Sequence, residues 1–317
     1  MSPVDSHGRP TLAIAIVNWN AGGQLAACLE SIAASDWERV ALAAVVVVDN
    51  ASTDGSRDRV ADTARLPVQL ILNAENRGFA VACNQAARGI RADYVLFLNP
   101  DARLDRGSIP AVVALLEDEA HAPIGIVGIQ LVGDEGIVSR SCARFPTPWT
   151  MVSKSLGLDR LLPSVCPGYM MTEWDHSASR EVDHVMGAFY LVRAGVFSTL
   201  GGFDESFFVY FEDLDFSLRA RQAGWRSYYL ADARAYHKGG GTSAAVKSTR
   251  LLYSLRSRLC YARKHFSRPA AGFVAFCTLC LEPIVRVAAC AIGGSPTGLR
   301  ETLSAYQRLW RGARDAS

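Results

Sequence analysis

Three short runs of unbroken apolar residues constrain this chain most. Residues 12–18 read Leu-Ala-Ile-Ala-Ile-Val-Asn, 44–49 read Ala-Val-Val-Val-Val-Asp, and 94–98 read Tyr-Val-Leu-Phe-Leu. A strand with one wet face alternates apolar and polar residues. A continuous run is buried on both faces, which is the pattern of a parallel sheet covered by helices. Residues 68–72 add a fourth strand. Between these runs the period changes. Leu25, Cys28, Leu29 and Ile32 recur at helical spacing within 24–34, residues 79–88 form an alanine-rich helix after the turn Asn76-Arg77-Gly78, and 109–119 form another. Strands alternating with helices imply right-handed crossovers and an open α/β sheet.

In such sheets ligands bind outside the carboxyl ends of the strands. Three ends carry polar residues: Asn18-Trp19-Asn20, Asp49-Asn50 and Asn99-Pro100-Asp101. Their convergence on one crevice is the first site hypothesis. No G-x-G-x-x-G follows the first strand and no G-x-x-x-x-G-K-[ST] occurs. Phosphates bound here would need a metal or basic side chains to neutralise them. Asp101 is placed to hold a divalent cation, and oxygen ligands suit Mg²⁺ or Mn²⁺.

The second half reads differently. Residues 124–132 and 136–141 suggest a hairpin. Residues 145–181 read as irregular, with Pro146, Pro148, Pro163 and Pro167 among the aromatics Trp149, Tyr169 and Trp174. Long loops in compact domains are usually functional. Residues 182–192 return to strand character, and Gly187-Ala188 are small enough for a ligand or chain to pass closely. The stretch 203–225 then sets Glu212, Asp213 and Asp215 among aromatics. Carboxylates in such company are paired, on a metal or catalytic. Asp213 falls near a first helical turn, where a negative charge is favourable. A strand at 227–230 precedes His237 and the glycines 239–241.

At 317 residues the chain suits one large domain, or one domain with an appendage. A net charge of +2 gives no argument for a nucleic-acid partner. Residues 1–10 show no apolar run after a basic start, so no signal peptide is expected. The eight cysteines are scattered, and Cys277 and Cys280 lack a second pair or a nearby histidine. A reducing cytosol is expected. Residues 247–268 hold seven basic residues and no acid, with Leu251, Leu252, Leu255, Leu259 and Ala262 at helical spacing. Such a helix docks on a core or lies on an anionic membrane. Residues 270–281 are apolar but are interrupted by Glu282-Pro283. Spanning a membrane takes about 20 residues, so a buried or interfacial helical hairpin is expected.

The ordered set of motifs resembles glycosyltransferase family 2, the inverting enzymes with a GT-A fold: a Rossmann-like open, mostly parallel sheet flanked by helices. The likeness covers about 12–243 and rests on five segments: Val17-Asn18-Trp19-Asn20, the run 48–56 beginning Val48-Asp49-Asn50, Asn76-Arg77-Gly78-Phe79-Ala80, Leu98-Asn99-Pro100-Asp101 and Phe211-Glu212-Asp213-Leu214-Asp215. The Asn-Pro-Asp variant and the segment after His237 look most like the bacterial rhamnosyltransferase branch. The resemblance implies a flexible 1–10, a catalytic domain at 11–243 with a nucleotide half (11–122) and an acceptor half (123–243), and a helical 244–317. It implies a dTDP- or UDP-sugar donor, with L-rhamnose as the suggested sugar, and a glycan or polyprenyl-linked glycan acceptor. The setting would be the cytoplasmic face of the membrane, with peripheral contact through 247–292. Asp49 would accept the N3–H of the base, Trp19 would stack on it, and Arg77 would lie near the base or diphosphate. Val17, Asn20, Asn76, Gly78 and Asn99 would complete the nucleotide site. Asp101 and His237 would hold Mg²⁺ or Mn²⁺, Asn99 standing where the family's Asp-x-Asp has its first acid. Asp213 would be the general base, with Glu212, Asp215 and Trp174 on the acceptor side. The alternative is a non-catalytic nucleotide-sugar-binding protein that keeps the fold. A nicotinamide oxidoreductase lacks its glycine fingerprint here.

Overall fold

The computed structural model describes residues 5, 7–62, 66–237, 239 and 247–314. The chain forms two compact units: residues 1–144, 170–205 and 212–242, and residues 145–169, 206–211 and 243–317. The second unit thus takes in 145–169 and 206–211, which the sequence places in the catalytic domain.

The first unit is built from β1 (Thr11–Asn18), β2 (Ala41–Asp49), β3 (Val68–Leu72), β4 (Tyr94–Leu98), β5 (Ala102–Leu104), β6 (Ile124–Val132), β7 (Cys142–Ala143), β8 (Arg180–Val182), β9 (His184–Val185), β10 (Phe189–Arg193) and β11 (Arg226–His237). Nine strands form one sheet in the order β3-β2-β1-β4-β10-β6-β11-β5, with β8 paired to β11, while β7 and β9 make a separate ribbon. The sheet is flanked by α1 (Gln24–Ala33), α2 (Phe79–Ala87) and α3 (Ser108–Glu117). All eight residues of β1 are buried, and its alternate side chains feed two cores. Ile14 and Ile16 pack with Leu25 and Leu29, whereas Ala15 and Val17 pack with Ala80 and Cys83. This is why the strand reads as an unbroken apolar run.

The expected hairpin after β6 is reduced to one bridge, Val132 to Val138. β6 instead pairs with β11 along most of its length and with β10 at Ile126 and Val127, while 136–141 adds to it only this bridge and a Ser139 N–H bond to the Leu131 carbonyl. Residues 145–181 are also more regular than expected. They contain α4 (Pro148–Ser155) and α5 (Leu158–Leu161). Thr147 caps α4 by accepting the Thr150 N–H, with proline in the first turn. The strand-like 182–192 splits among β8, β9 and β10, and α6 (Ala194–Thr199) and α7 (Glu212–Gln222) follow.

The second unit is helical, with α8 (Lys247–His265), α9 (Arg268–Phe276), a π turn (Cys277–Leu281), α10 (Glu282–Ile292) and α11 (Pro296–Arg314). The basic helix α8 is central to this unit, its Leu252, Leu255 and Leu259 packing on Ala305, Tyr306 and Leu309 of α11. The hairpin expected at Glu282-Pro283 is absent: 268–292 is one continuous 25-residue helix. Two causes act together. Glu282, fully buried, is paired with Arg258 at 2.5 Å and Arg286 at 2.7 Å. Pro283 sits in a first turn after the π turn, whose wider backbone accommodates the missing N–H. This helix is long and apolar enough to cross a membrane by length and composition, and only 22% of its most apolar window is buried.

Candidate active site

The parallel strands deliver their polar ends to one sheet edge. Asn18 lies opposite Asp49, and Ile16 lies opposite Leu98, one residue before Asn99. β10 runs back antiparallel with Phe189 opposite Leu98, which puts Gly187-Ala188 at the same edge. β11 meets β5 with His237 opposite Ala102.

At the end expected to bind nucleotide, the chain after β1 is stitched to the loop after β2. Asp49 accepts the Asn18 Nδ2–H at 2.7 Å and the Ser52 N–H at 3.0 Å. The Asn20 N–H donates to Ser52 Oγ at 3.0 Å, and the Thr53 N–H donates to Asn20 Oδ1 at 2.8 Å. Asn20 and Ala51 take left-handed backbone conformations at φ 52° and 60°, which non-glycine residues adopt only where the surroundings hold them. Asp49 has no exposed surface. Each of its oxygens accepts one hydrogen bond in ordering these loops and keeps a further lone pair. Trp19 is half-buried, Val17 is buried in the second core and Arg77 is exposed. Asn76 Oδ1 accepts the Gly78 N–H at 2.9 Å. Gly78, at φ 88°, opens α2, and its carbonyl accepts the Asn50 Nδ2–H at 3.1 Å.

Asp101 and His237, 136 positions apart, meet through the β5–β11 register. His237 Nε2 lies 3.4 Å from Asp101 Oδ1 and 3.5 Å from Asn99 Nδ2. Among the described residues no group of three or more His, Cys, Asp or Glu side chains is placed to hold a metal ion. The donors present are one carboxylate, one imidazole and, with its amide turned, the oxygen of Asn99. This set fits Mn²⁺ or Mg²⁺ when phosphate oxygens and water supply the remaining positions. Of the glycines after His237, Gly240 and Gly241 lie outside the described residues.

At the end expected to be catalytic, Asp213 is the second residue of α7. Its Oδ2 accepts the Gly187 N–H at 2.9 Å and its Oδ1 accepts the Leu214 N–H at 2.8 Å. A Cβ on residue 187 would lie 2.9 Å from that same Oδ2, so the glycine is there to let the carboxylate approach. The side chain of Asp213 retains 16% exposure. Its neighbours are spent or sealed. Asp215 is fully buried and accepts from Arg219 Nε at 2.8 Å, and the same guanidinium donates to the carbonyls of Leu200 and Gly202. Glu212 is 4% exposed, and its Oε2 has no hydrogen-bond partner among the described residues. Burial, and then the charges of Asp213 and Asp215, push its pKa well above the usual carboxylate range. Of the three acids Asp213 keeps the most exposed side chain. Trp174, expected on the acceptor side, is half-buried, with its ring stacked 4.2 Å from that of His176 and Arg180 5.2 Å above it. Sequence reasoning missed His184, whose Nε2 lies 3.7 Å from Asp213 Oδ2. Nothing in the local sequence marks it, since the two residues sit on different elements.

Residues 10–261 match the family model described as glycosyltransferase-like family 2. The chain is 30% identical over 256 residues to the N-acetylglucosaminyl-diphospho-decaprenol L-rhamnosyltransferase of Mycobacterium tuberculosis, covering 71% of this chain and 75% of that protein. It is 29% identical over 194 residues to the rhamnosyltransferase WbbL of Escherichia coli, covering 60% and 69%. Among solved structures it resembles a mannosyltransferase from Pyrobaculum calidifontis in complex with GDP-Man and Mn²⁺, with a TM-score of 0.55 at 21% identity over 99% of this chain and 83% of that one. It also resembles GalNAc-T7 with UDP, GalNAc and Mn²⁺, with a TM-score of 0.58 at 14% identity over 92% and 59%. The mixed, mostly parallel sheet is the GT-A architecture expected from the sequence.

Proposed function

The chain is a glycosyltransferase belonging to family 2, and from that premise we propose an inverting, metal-assisted transfer of a sugar, L-rhamnose in the first instance, from a dTDP- or UDP-sugar to a hydroxyl of a lipid-linked or polysaccharide glycan. The observation that carries the reading is the meeting of Asp101 with His237 and of Asp213 with Gly187 along one sheet edge. The two rhamnosyltransferase relatives support the sugar, and the decaprenol in the name of one supports the acceptor class. His237 beside Asp101 compensates for Asn99 in place of an acid, which removes the motive for a non-catalytic reading.

Asp213 takes the proton of the acceptor hydroxyl as that oxygen attacks the anomeric carbon. The new C–O bond forms opposite the breaking bond to the diphosphate, and the configuration inverts. Asp101, His237 and Asn99 would hold the divalent ion, which supplies charge neutralisation for the departing nucleoside diphosphate. Asp49 would accept the N3–H of the base while fixing the 18–22 and 49–56 loops; Trp19, on the first of these, would stack on the base, and Arg77, on the turn before α2, would lie near the base or diphosphate.

Thermal stabilisation by dTDP, UDP, GDP, CMP and NADH, each with and without Mn²⁺, tests this. A ligand that binds only the native state raises stability by about 2.7 kcal/mol at 100 times its Kd. The expected result is Mn²⁺-dependent stabilisation by dTDP or UDP that Asp101→Ala removes. A response to GDP alone would overturn the donor assignment. An unchanged response in Asp101→Ala would remove its metal role.

The second unit supports peripheral membrane contact. Residues 247–317 carry twelve Lys and Arg against three Asp and Glu, a surplus of nine, so the remaining residues of this +2 chain sum to −7. Phe273, Phe276 and Ile284 on 268–292 are 47%, 55% and 66% exposed. Basic charge beside exposed apolar side chains suits an anionic bilayer surface. The full chain should float with phosphatidylglycerol vesicles, and a triple serine variant at these positions should not. Full-length protein that stays unbound at low salt would end the membrane assignment.

A further inference from the structure

A buried hydrogen-bonded chain stands behind the proposed base. His184 lies on β9, 7% exposed. Its Nδ1 is 3.0 Å from Ser217 Oγ, and that hydroxyl is 2.9 Å from the Tyr190 hydroxyl. Tyr190 OH also reaches the backbone carbonyl of Asp213 at 3.4 Å. Ser217 is on α7, one turn beyond Asp213, so helix and ribbon fix this constellation together.

One arrangement of these protons puts a donor on Asp213. In it the Tyr190 hydroxyl gives its single proton to Ser217 Oγ rather than to the Asp213 carbonyl, and Ser217 donates to His184 Nδ1. A neutral imidazole that accepts at Nδ1 carries its hydrogen on Nε2. That nitrogen faces Asp213 Oδ2 across 3.7 Å, a separation that a small movement of the carboxylate closes. Burial holds the imidazole neutral by lowering its pKa, against the opposing pull of Asp213 and Asp183, the two charges that act on it. The chain ends at Tyr190 inside the second core, so it leads no proton to solvent.

We propose that His184 is a positioning residue for the transfer reaction: its Nε2–H, 3.7 Å from Oδ2 of Asp213, closes on that oxygen beside the Gly187 N–H and aims the carboxylate at the acceptor hydroxyl. This rests on the reading of Asp213 as the base. The acceptor proton goes to Asp213, and His184 neither gains nor loses one. The arrangement resembles a base–orienter pair with the usual order reversed, the imidazole orienting the carboxylate.

The test uses His184→Phe in the full-length protein. Removing a donor from a carboxylate favours its protonated form. The titration midpoint of the Asp213 carboxyl, read by ¹³C NMR and assigned with Asp213→Asn, should move up by about one pH unit. The acidic limb of the kcat–pH profile should move with it, and kcat should fall about tenfold with the donor KM unchanged, the size expected for one hydrogen bond to a charged group. His184→Gln, which keeps an N–H donor, should restore most of the loss. If His184→Phe does not fold, Ser217→Ala reads the same device by releasing the tautomer, with a smaller shift in the same direction. An unmoved carboxyl titration, or a kcat loss that Gln does not restore, would overturn the proposal. A moved titration with unchanged kcat would instead locate the failure in the base assignment of Asp213.

Discussion

Asp213→Asn lowers turnover by about 10²- to 10⁴-fold, the range contributed by a positioned general base, and leaves the nucleotide-induced rise in melting temperature where it was. The amide is isosteric and its oxygen still accepts the Gly187 N–H, while the Leu214 N–H loses its side-chain acceptor. What disappears is the group proposed to receive the acceptor proton. The neighbouring acids cannot replace it, because Asp215 is locked to Arg219 and Glu212 is sealed from solvent. The measurement is release of nucleoside diphosphate from a dTDP-sugar, with a short-chain polyprenyl-diphosphate N-acetylglucosamine as acceptor. Turnover within tenfold of the parent would take the base role from Asp213.

Arg258→Ala should cost about 3–5 kcal/mol of folding stability, because breaking a buried pair strands the other charge in a low-dielectric site. Glu282 has no exposed surface, and Arg258 also donates to Ser155 Oγ at 2.5 Å. Arg286 remains, but it is more open than Arg258, at 38% side-chain exposure against 10%. The double variant Arg258→Met, Glu282→Leu should recover most of the loss, since it leaves no orphaned charge. Chemical denaturation of the three proteins decides the matter. A single variant within 1 kcal/mol of the parent would show that Arg286 alone neutralises the acid.

The parts of this fold visible in the sequence are those whose surroundings are uniform. β1 and β4 are buried along their whole length, so composition alone marks them. Gly187 was legible because a close approach leaves a glycine in an otherwise strand-like run. Glu282-Pro283 reads as a break because sequence shows neither the π turn before it nor the two arginines that neutralise the acid. Asp49 illustrates the same limit at the site. Its position at a strand end is legible, whereas the hydrogen bonds it accepts from Asn18 and Ser52 depend on how the chain after β1 and β2 folds. The pairing of His184 with Asp213 has no local pattern. It follows from where β9 and α7 pack.

The pairing of β5 with β11 has a consequence for how such a chain can be rearranged by recombination. β5 is made from residues 102–104, yet its only ladder partner among the described strands is β11, at residues 226–237. A crossover in the gene near residue 122 would look harmless, since it falls between a nucleotide half and an acceptor half. It would nevertheless part Asp101 from the histidine its strand is registered against. The heritable module here is the whole sheet, and new sugar or acceptor preferences have to come from substitutions and loop changes within it.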